Sequence, residues 1–102
     1  MFPRGGLNDH LLALANPTRL RIVEELATGE SSVNDLAARL RIAQPLISWH
    51  LRMLRMGGVI RTRREGRQVH CSLDVDSIRE KQEDLNRLLG IGRTTTLKGV
   101  QE

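Results

Sequence analysis

The stretch Gln44-Pro45-Leu46-Ile47-Ser48-Trp49-His50-Leu51-Arg52-Met53-Leu54, followed at once by Gly57-Gly58 and the segment Val59 to Leu73, decides the fold. On a helix Ile47, Leu51 and Leu54 fall at i, i+4 and i+7 and form one apolar stripe, while Gln44, Ser48, Trp49 and Arg52 project from other faces. Such a helix is anchored along one side and keeps its polar groups free on the others. After the two glycines the period changes. Val69, Cys71 and Leu73 alternate with Gln68, His70 and Ser72, as a half-buried strand requires. Val59 to Arg64 is expected to pair with it antiparallel through a Glu65-Gly66 turn. The two parts read as a base-reading helix followed by a basic hairpin, or wing.

The charge pattern points the same way. Between Arg39 and His70 eight arginines and no lysine stand against one acid, Glu65, although the whole chain carries a formal charge of only +4. The positive charge is therefore local. A stripe this concentrated attracts a phosphate backbone and gains from counterion release, and arginine's planar fork suits bidentate phosphate and guanine contacts. The candidate DNA contacts are Gln44, Pro45, Ser48, Trp49, Arg52 and Arg55 on the helix and Arg64 and Arg67 on the wing. Glutamine pairs with adenine N6 and N7, and serine with several bases. The Trp49 ring has two readings, a thymine methyl or the flank of the wing. Alternation places Arg61 and Arg63 opposite Arg64, so the four wing arginines do not all face one partner.

Working outward, Leu7, Leu11, Leu12 and Leu14 suggest a first helix ending before Asn16-Pro17. Asn16 is expected to cap a second helix, Pro17 to about Ala27, with Leu20, Val23, Leu26 and Ala27 on its buried face. Ser32-Val33-Asn34-Asp35 resembles a capping box and opens a third helix, with Val33, Leu36, Ala37 and Leu40 at helical spacing. A short connection then leads to the reading helix, giving a helix-turn-helix pair. Asp74 or Asp76 caps a last helix, Ser77 to about Leu89, whose Ile78, Leu85, Leu88 and Leu89 make a narrow apolar stripe between charged residues. The predicted fold is mainly α with a small β-hairpin, a winged helix-turn-helix in the order α-α-α-α-β-β-α. Residues 1–6 are expected to form a mobile arm, 7–89 the domain with its dimerisation helices, and 90–102 a disordered tail. With so little core, Leu7 and Leu11 of the first helix and the stripe of the last are expected to pair with a second copy of the chain.

At 102 residues the chain is one small domain with an aliphatic core, Phe2 and Trp49 being its only aromatic residues. No run approaches a membrane span, no signal-peptide core opens the chain, and one cysteine makes no intrachain disulfide, so a cytoplasmic location is expected. Cys71 reads as a small apolar filler, with a redox role as the lesser alternative.

Three segments resemble the ArsR/SmtB family of winged-helix transcriptional regulators: Leu14 to Ile22 with its Asn16-Pro17-Thr18-Arg19, Val33 to Leu51 ending in Ser48-Trp49-His50-Leu51, and Arg64-Glu65-Gly66-Arg67. With their spacing they cover about residues 7–89. The resemblance implies a homodimeric repressor that sits on a palindromic operator in duplex DNA and is released by a small effector, often a metal. It also implies where the metal would bind, and those positions lack ligands. Ser32 and Asn34 stand where the family places thiolates, and Val75, Ser77, Leu88 and Ile91 stand where it places carboxylates and histidines. Asp9, His10 and His70 are the remaining candidates for a nonstandard site, a set that suits nickel, cobalt or zinc. His50 matches a family histidine and is expected to make a local hydrogen bond. Ala43 stands where a serine or threonine often caps the reading helix, and Gln68, His70 and Cys71 replace a strand usually rich in tyrosine.

The competing class is a winged-helix module whose arginines and Trp49 bind an acidic protein, which predicts weak DNA binding indifferent to sequence. An enzyme is disfavoured: the sequence has no glycine-rich phosphate loop, no carboxylate cluster near a histidine and no activated nucleophile pattern, and His70 and Cys71 point to opposite faces of a strand.

Overall fold

The computed structural model describes residues 6–92, which form five helices and a three-stranded sheet. The expected arm, residues 1–6, and tail, residues 90–102, lie outside the described residues except for Gly6 and residues 90–92. The elements run α1 (Leu7–Leu14), α2 (Pro17–Leu26), β1 (Ser31–Ser32), α3 (Val33–Leu40), α4 (Gln44–Met56), β2 (Ile60–Glu65), β3 (Gln68–Leu73) and α5 (Val75–Leu89). None of these helices is long and apolar enough to cross a membrane.

Each helix start follows from its cap. Asn16 Oδ1 accepts the Arg19 amide at 3.0 Å, Ser32 Oγ accepts the Asp35 amide at 3.1 Å, and Asp74 Oδ1 accepts the Ser77 amide at 3.2 Å. Asp74, not Asp76, is therefore the cap of the last helix, which begins at Val75 rather than Ser77. Ala43 caps α4 without a side-chain bond, and a proline in the first turn fixes the backbone there instead. Between α3 and α4, Arg41 takes the left-handed conformation with φ 57°, and the Ile42 amide closes back on the Ala37 carbonyl at 3.1 Å. That closure makes the sharp turn of the helix-turn-helix pair.

The core is a single aliphatic cluster in which Ile22, Leu36, Ile47, Leu54, Val59, Ile60 and Cys71 are fully buried. Truncating one of the larger of these to alanine costs about 2–5 kcal/mol in comparable cores. The expected buried face of α2 is corrected here. Leu20 is half exposed, Ala27 lies past the helix end, and Ile22 carries the burial with Leu26. Residues 20 and 22 sit about 200° apart on a helix, so only one of them faces inward.

The strand order differs from the simple hairpin expected. Ser31 and Ser32 form an extra edge strand antiparallel to β3, opposite Cys71 and His70, so β3 is the central strand in the order β1-β3-β2. A two-residue strand carries no alternation that a sequence reading detects. The wing turn also shifts by one residue. Glu65 pairs with Gln68, leaving Gly66-Arg67 as the two-residue loop in place of Glu65-Gly66. Gly66 supplies the positive φ of 62° that such a loop needs at its first position.

Candidate nucleic-acid interface

Helix α4 is held from behind by Ile47, His50, Leu51 and Leu54, all buried. Directly opposite this stripe lie Pro45, Trp49, Arg52 and Met56, all exposed, and on the flank nearest the wing lie Gln44, Ser48 and Arg55. Arg55 Nη1 donates to Thr62 Oγ1 of β2 at 3.5 Å, which ties this flank to the wing. Trp49 falls about 100° round the helix from Ser48, away from the wing side. Of its two readings, packing on the wing is the one the helix geometry opposes.

The eight arginines separate into two groups. Arg39 pairs with Glu25 at 3.4 Å, Arg61 with Asp74 at 3.4 Å, and Arg63 takes both oxygens of Glu30 at 2.9 and 3.0 Å and one of Glu65 at 3.1 Å. Glu30 and its guanidinium partner stabilise each other's charge, so Arg63 holds the Glu30 carboxyl below the usual carboxylate range. Arg41, Arg52, Arg55, Arg64 and Arg67 take no carboxylate partner among the described residues. Of these eight, the arginines without a carboxylate partner among the described residues thus lie at the helix-turn-helix turn, on α4 and at the wing tip.

Between the start of α4 and the wing runs a half-open cleft of about 130 Å³ lined by Ser32, Val33, Asn34, Gln44, Ser48, Arg67, Gln68 and Val69. It brings together Gln44, Ser48 and Arg67, three of the residues singled out in the sequence. Asn34 and Gln68, which the sequence offers only as departures from a family pattern, line the same cleft. They meet only because β1 pairs with β3 and swings the start of α3 beside the wing, a contact with no local sequence signal.

The histidines are structural. His10 is buried, and its Nδ1–H donates to the Gly57 carbonyl at 2.8 Å, tying α1 to the end of α4. His50 Nδ1 accepts from Arg19 Nε at 3.2 Å, a bond across 31 positions rather than the local one expected. Burial, and then the Arg19 charge, hold its pKa below 6.5. His70 lies on β3 with Nε2 3.5 Å from Glu65. The nonstandard nickel, cobalt or zinc site for which Asp9, His10 and His70 are the candidates is not assembled within one chain: His10 is buried between α1 and α4, and no three His, Cys, Asp or Glu side chains converge as a metal site among the described residues. The family's metal does not fit its standard positions either, since Ser32 Oγ is occupied as a helix cap and Asn34 offers an amide. Cys71 is fully buried on the central strand, where burial pushes its pKa up to about 11, so the thiol is neutral and inert at physiological pH.

A helix-turn-helix whose second helix faces outward, flanked by a basic wing, defines a winged-helix DNA-binding regulator. The family model for the bacterial regulatory proteins of the arsR family matches residues 16–62. The biofilm growth-associated repressor of Agrobacterium fabrum is 46% identical over 66 residues, covering 65% of this chain and 56% of that one. The transcriptional activator HlyU of Vibrio cholerae is 38% identical over 78 residues, covering 76% of this chain and 72% of its own. Among solved structures, the homodimeric winged helix-turn-helix DNA-binding domain from Mycobacterium bovis superposes with a TM-score of 0.67 at 30% identity, covering 81% of this chain and 76% of that one. The chain belongs to the ArsR family of bacterial regulatory proteins. The match spans little more than half the length of the Agrobacterium repressor.

Proposed function

We propose that the chain binds duplex DNA as a homodimer and represses transcription from an imperfect palindromic operator. In this reading α4 enters the major groove with Gln44, Ser48 and Trp49 toward base edges, while Arg52, Arg55, Arg64 and Arg67 meet phosphates or the adjacent minor groove. The observation that carries it is the separation of the eight arginines between residues 39 and 67: those without a carboxylate partner among the described residues lie at the helix-turn-helix turn, on α4 and at the wing tip. The dimer reading rests on α1 and α5, which pack together and leave Leu11, Leu88 and Leu89 exposed, joined by Leu12, Val75 and Ile91. Leu7 and Leu85 are partly buried, and Ile78 packs against the core of its own chain. The Mycobacterium bovis relative is a homodimer, which supports the same arrangement. Repression is favoured by the name of the Agrobacterium relative, although HlyU is named an activator. An effector that releases the protein would be something other than a metal at either standard family site.

The test is fluorescence anisotropy with a labelled duplex from upstream of the chain's own gene, against excess unrelated DNA. The reading expects binding that survives competitor at two chains per site, with Gln44→Ala and Ser48→Ala relaxing sequence preference. Equal affinity for every duplex, unchanged by those two substitutions, would instead favour an acidic protein partner for the basic face.

A further inference from the structure

We infer that the cleft between α3, α4 and the wing is a seat for one phosphate group, with Asn34, Gln68 and Arg67 as its ligands and Gln44 and Ser48 at the rim on the α4 side. The only charge lining it is positive: amide N–H donors come from Asn34 of α3 and Gln68 of β3, one guanidinium, Arg67, comes from the wing loop, Val33 and Val69 supply an apolar remainder, and no carboxylate is in the lining. Ser32 adds a second, independent sign. It is buried, its Oγ accepts the Asp35 amide, and its hydroxyl proton has no acceptor among the described residues. An acceptor-only ligand in the cleft would satisfy it, and a phosphate oxygen is such a ligand. A cation would be repelled by Arg67, whereas an anion meets that guanidinium and the amide N–H groups together.

The phosphate comes either from a DNA backbone or from free phosphate that would then compete with DNA. The DNA source rests on the function proposed above, because a strand passing between α4 and the wing crosses this cleft. The seat itself does not rest on it.

Asn34→Asp tests the inference while keeping the fold. Position 34 is in the first turn of α3, where an added negative charge favours the helix, so the variant should melt no lower than the parent. In the cleft the same carboxylate repels a phosphate. Gln68→Glu places the same charge on the opposite wall. Expected for both is a loss of roughly tenfold or more in affinity on every duplex alike, with the salt slope falling by about 1. In parallel, inorganic phosphate is titrated into the ¹⁵N-labelled protein against chloride at matched ionic strength. Saturating shifts at the Asn34, Ser48 and Gln68 amides that compete with duplex identify a free-phosphate site, and wild-type protein that binds phosphate there but no duplex would remove the DNA reading and keep the seat. Duplex binding unaltered in both variants, with phosphate moving these amides no more than chloride does, would overturn the inference.

Discussion

Two arginines one residue apart, Arg63 and Arg64, show how little a local count of charges says about function. Arg63 is enclosed by Glu30 and Glu65, so its charge is spoken for and its side chain bolts the wing to the loop before β1. Arg64 points the other way along the alternation and meets no carboxylate among the described residues. Arg64→Gln or Arg67→Gln should weaken binding to all duplexes by roughly tenfold and flatten the salt dependence by about 1, whereas Arg63→Gln should leave the slope unchanged. Anisotropy titrations at several salt concentrations read this directly. The two buried histidines divide in a similar way: a carbonyl partner puts the His10 proton on Nδ1, while a guanidinium donor keeps it off His50 Nδ1. Burial, and after it the nearby Arg19 charge, disfavour the imidazolium and depress the folded pKa of His50. The unfolded chain then binds a proton that the folded chain refuses. Its contribution is complete above the ordinary value of 6.5 and is lost as pH falls toward the folded value. The denaturant midpoint should therefore drop between about pH 7.5 and 5.5, and His50→Gln should flatten that slope, the amide oxygen still accepting from Arg19.

At the scale of elements, what the sequence made legible is what periodicity and caps determine. The α4 stripe, the Asn16 and Ser32 caps and the alternation at Cys71 all sit where the pattern puts them, because each depends on residues within one or two turns. The misses share a different cause. β1, the cleft-lining role of Asn34, the inward turn of Ile22 in place of Leu20, and the long bond from Arg19 to His50 all depend on a neighbour far along the chain. The Gly57-Gly58 pair is a case where sequence signals a break but not its reason. A Cβ on Gly57 would come within 2.6 Å of the Ala13 Cβ and 3.0 Å of the Asp9 carbonyl oxygen, so the end of α4 touches α1 backbone to backbone. This residue's φ of −83° suits any L residue, and the requirement is purely steric. Gly57→Ala should cost about 1–3 kcal/mol by prying α1 from α4 and straining the His10 bond to the Gly57 carbonyl. In a domain of this size that lowers the melting temperature by roughly 4–8 °C per kcal/mol, which calorimetry measures. Gly29→Ala is not an equivalent control, since its φ of 145° strains any side chain despite open space around it.

For the whole molecule the decisive question is how one small domain achieves useful affinity. A single winged helix offers few phosphate contacts, and each is weakened by salt. Two copies on one rigid body turn the second contact into an intramolecular event, raising affinity by about 100- to 10,000-fold when the half-sites match the spacing of the two heads. In the homodimer proposed above the exposed leucines at the end of α5 would supply the means, since Leu88 and Leu89 are 71% and 60% exposed and contribute nothing to the core of their own chain. Replacing both with glutamate should therefore leave the monomer folded, with unchanged helical circular dichroism, while sedimentation shifts from two chains to one. On a full palindrome the double variant should then bind at least about 100-fold more weakly, yet on an isolated half-site it should match a single head of the wild type. Loss of binding on both duplexes would mean that the substitutions damaged the reading surface itself. A double variant that still sediments as a dimer would place the interface elsewhere, and the exposed face of α1, with Leu11 and Leu12, would be the next surface to charge.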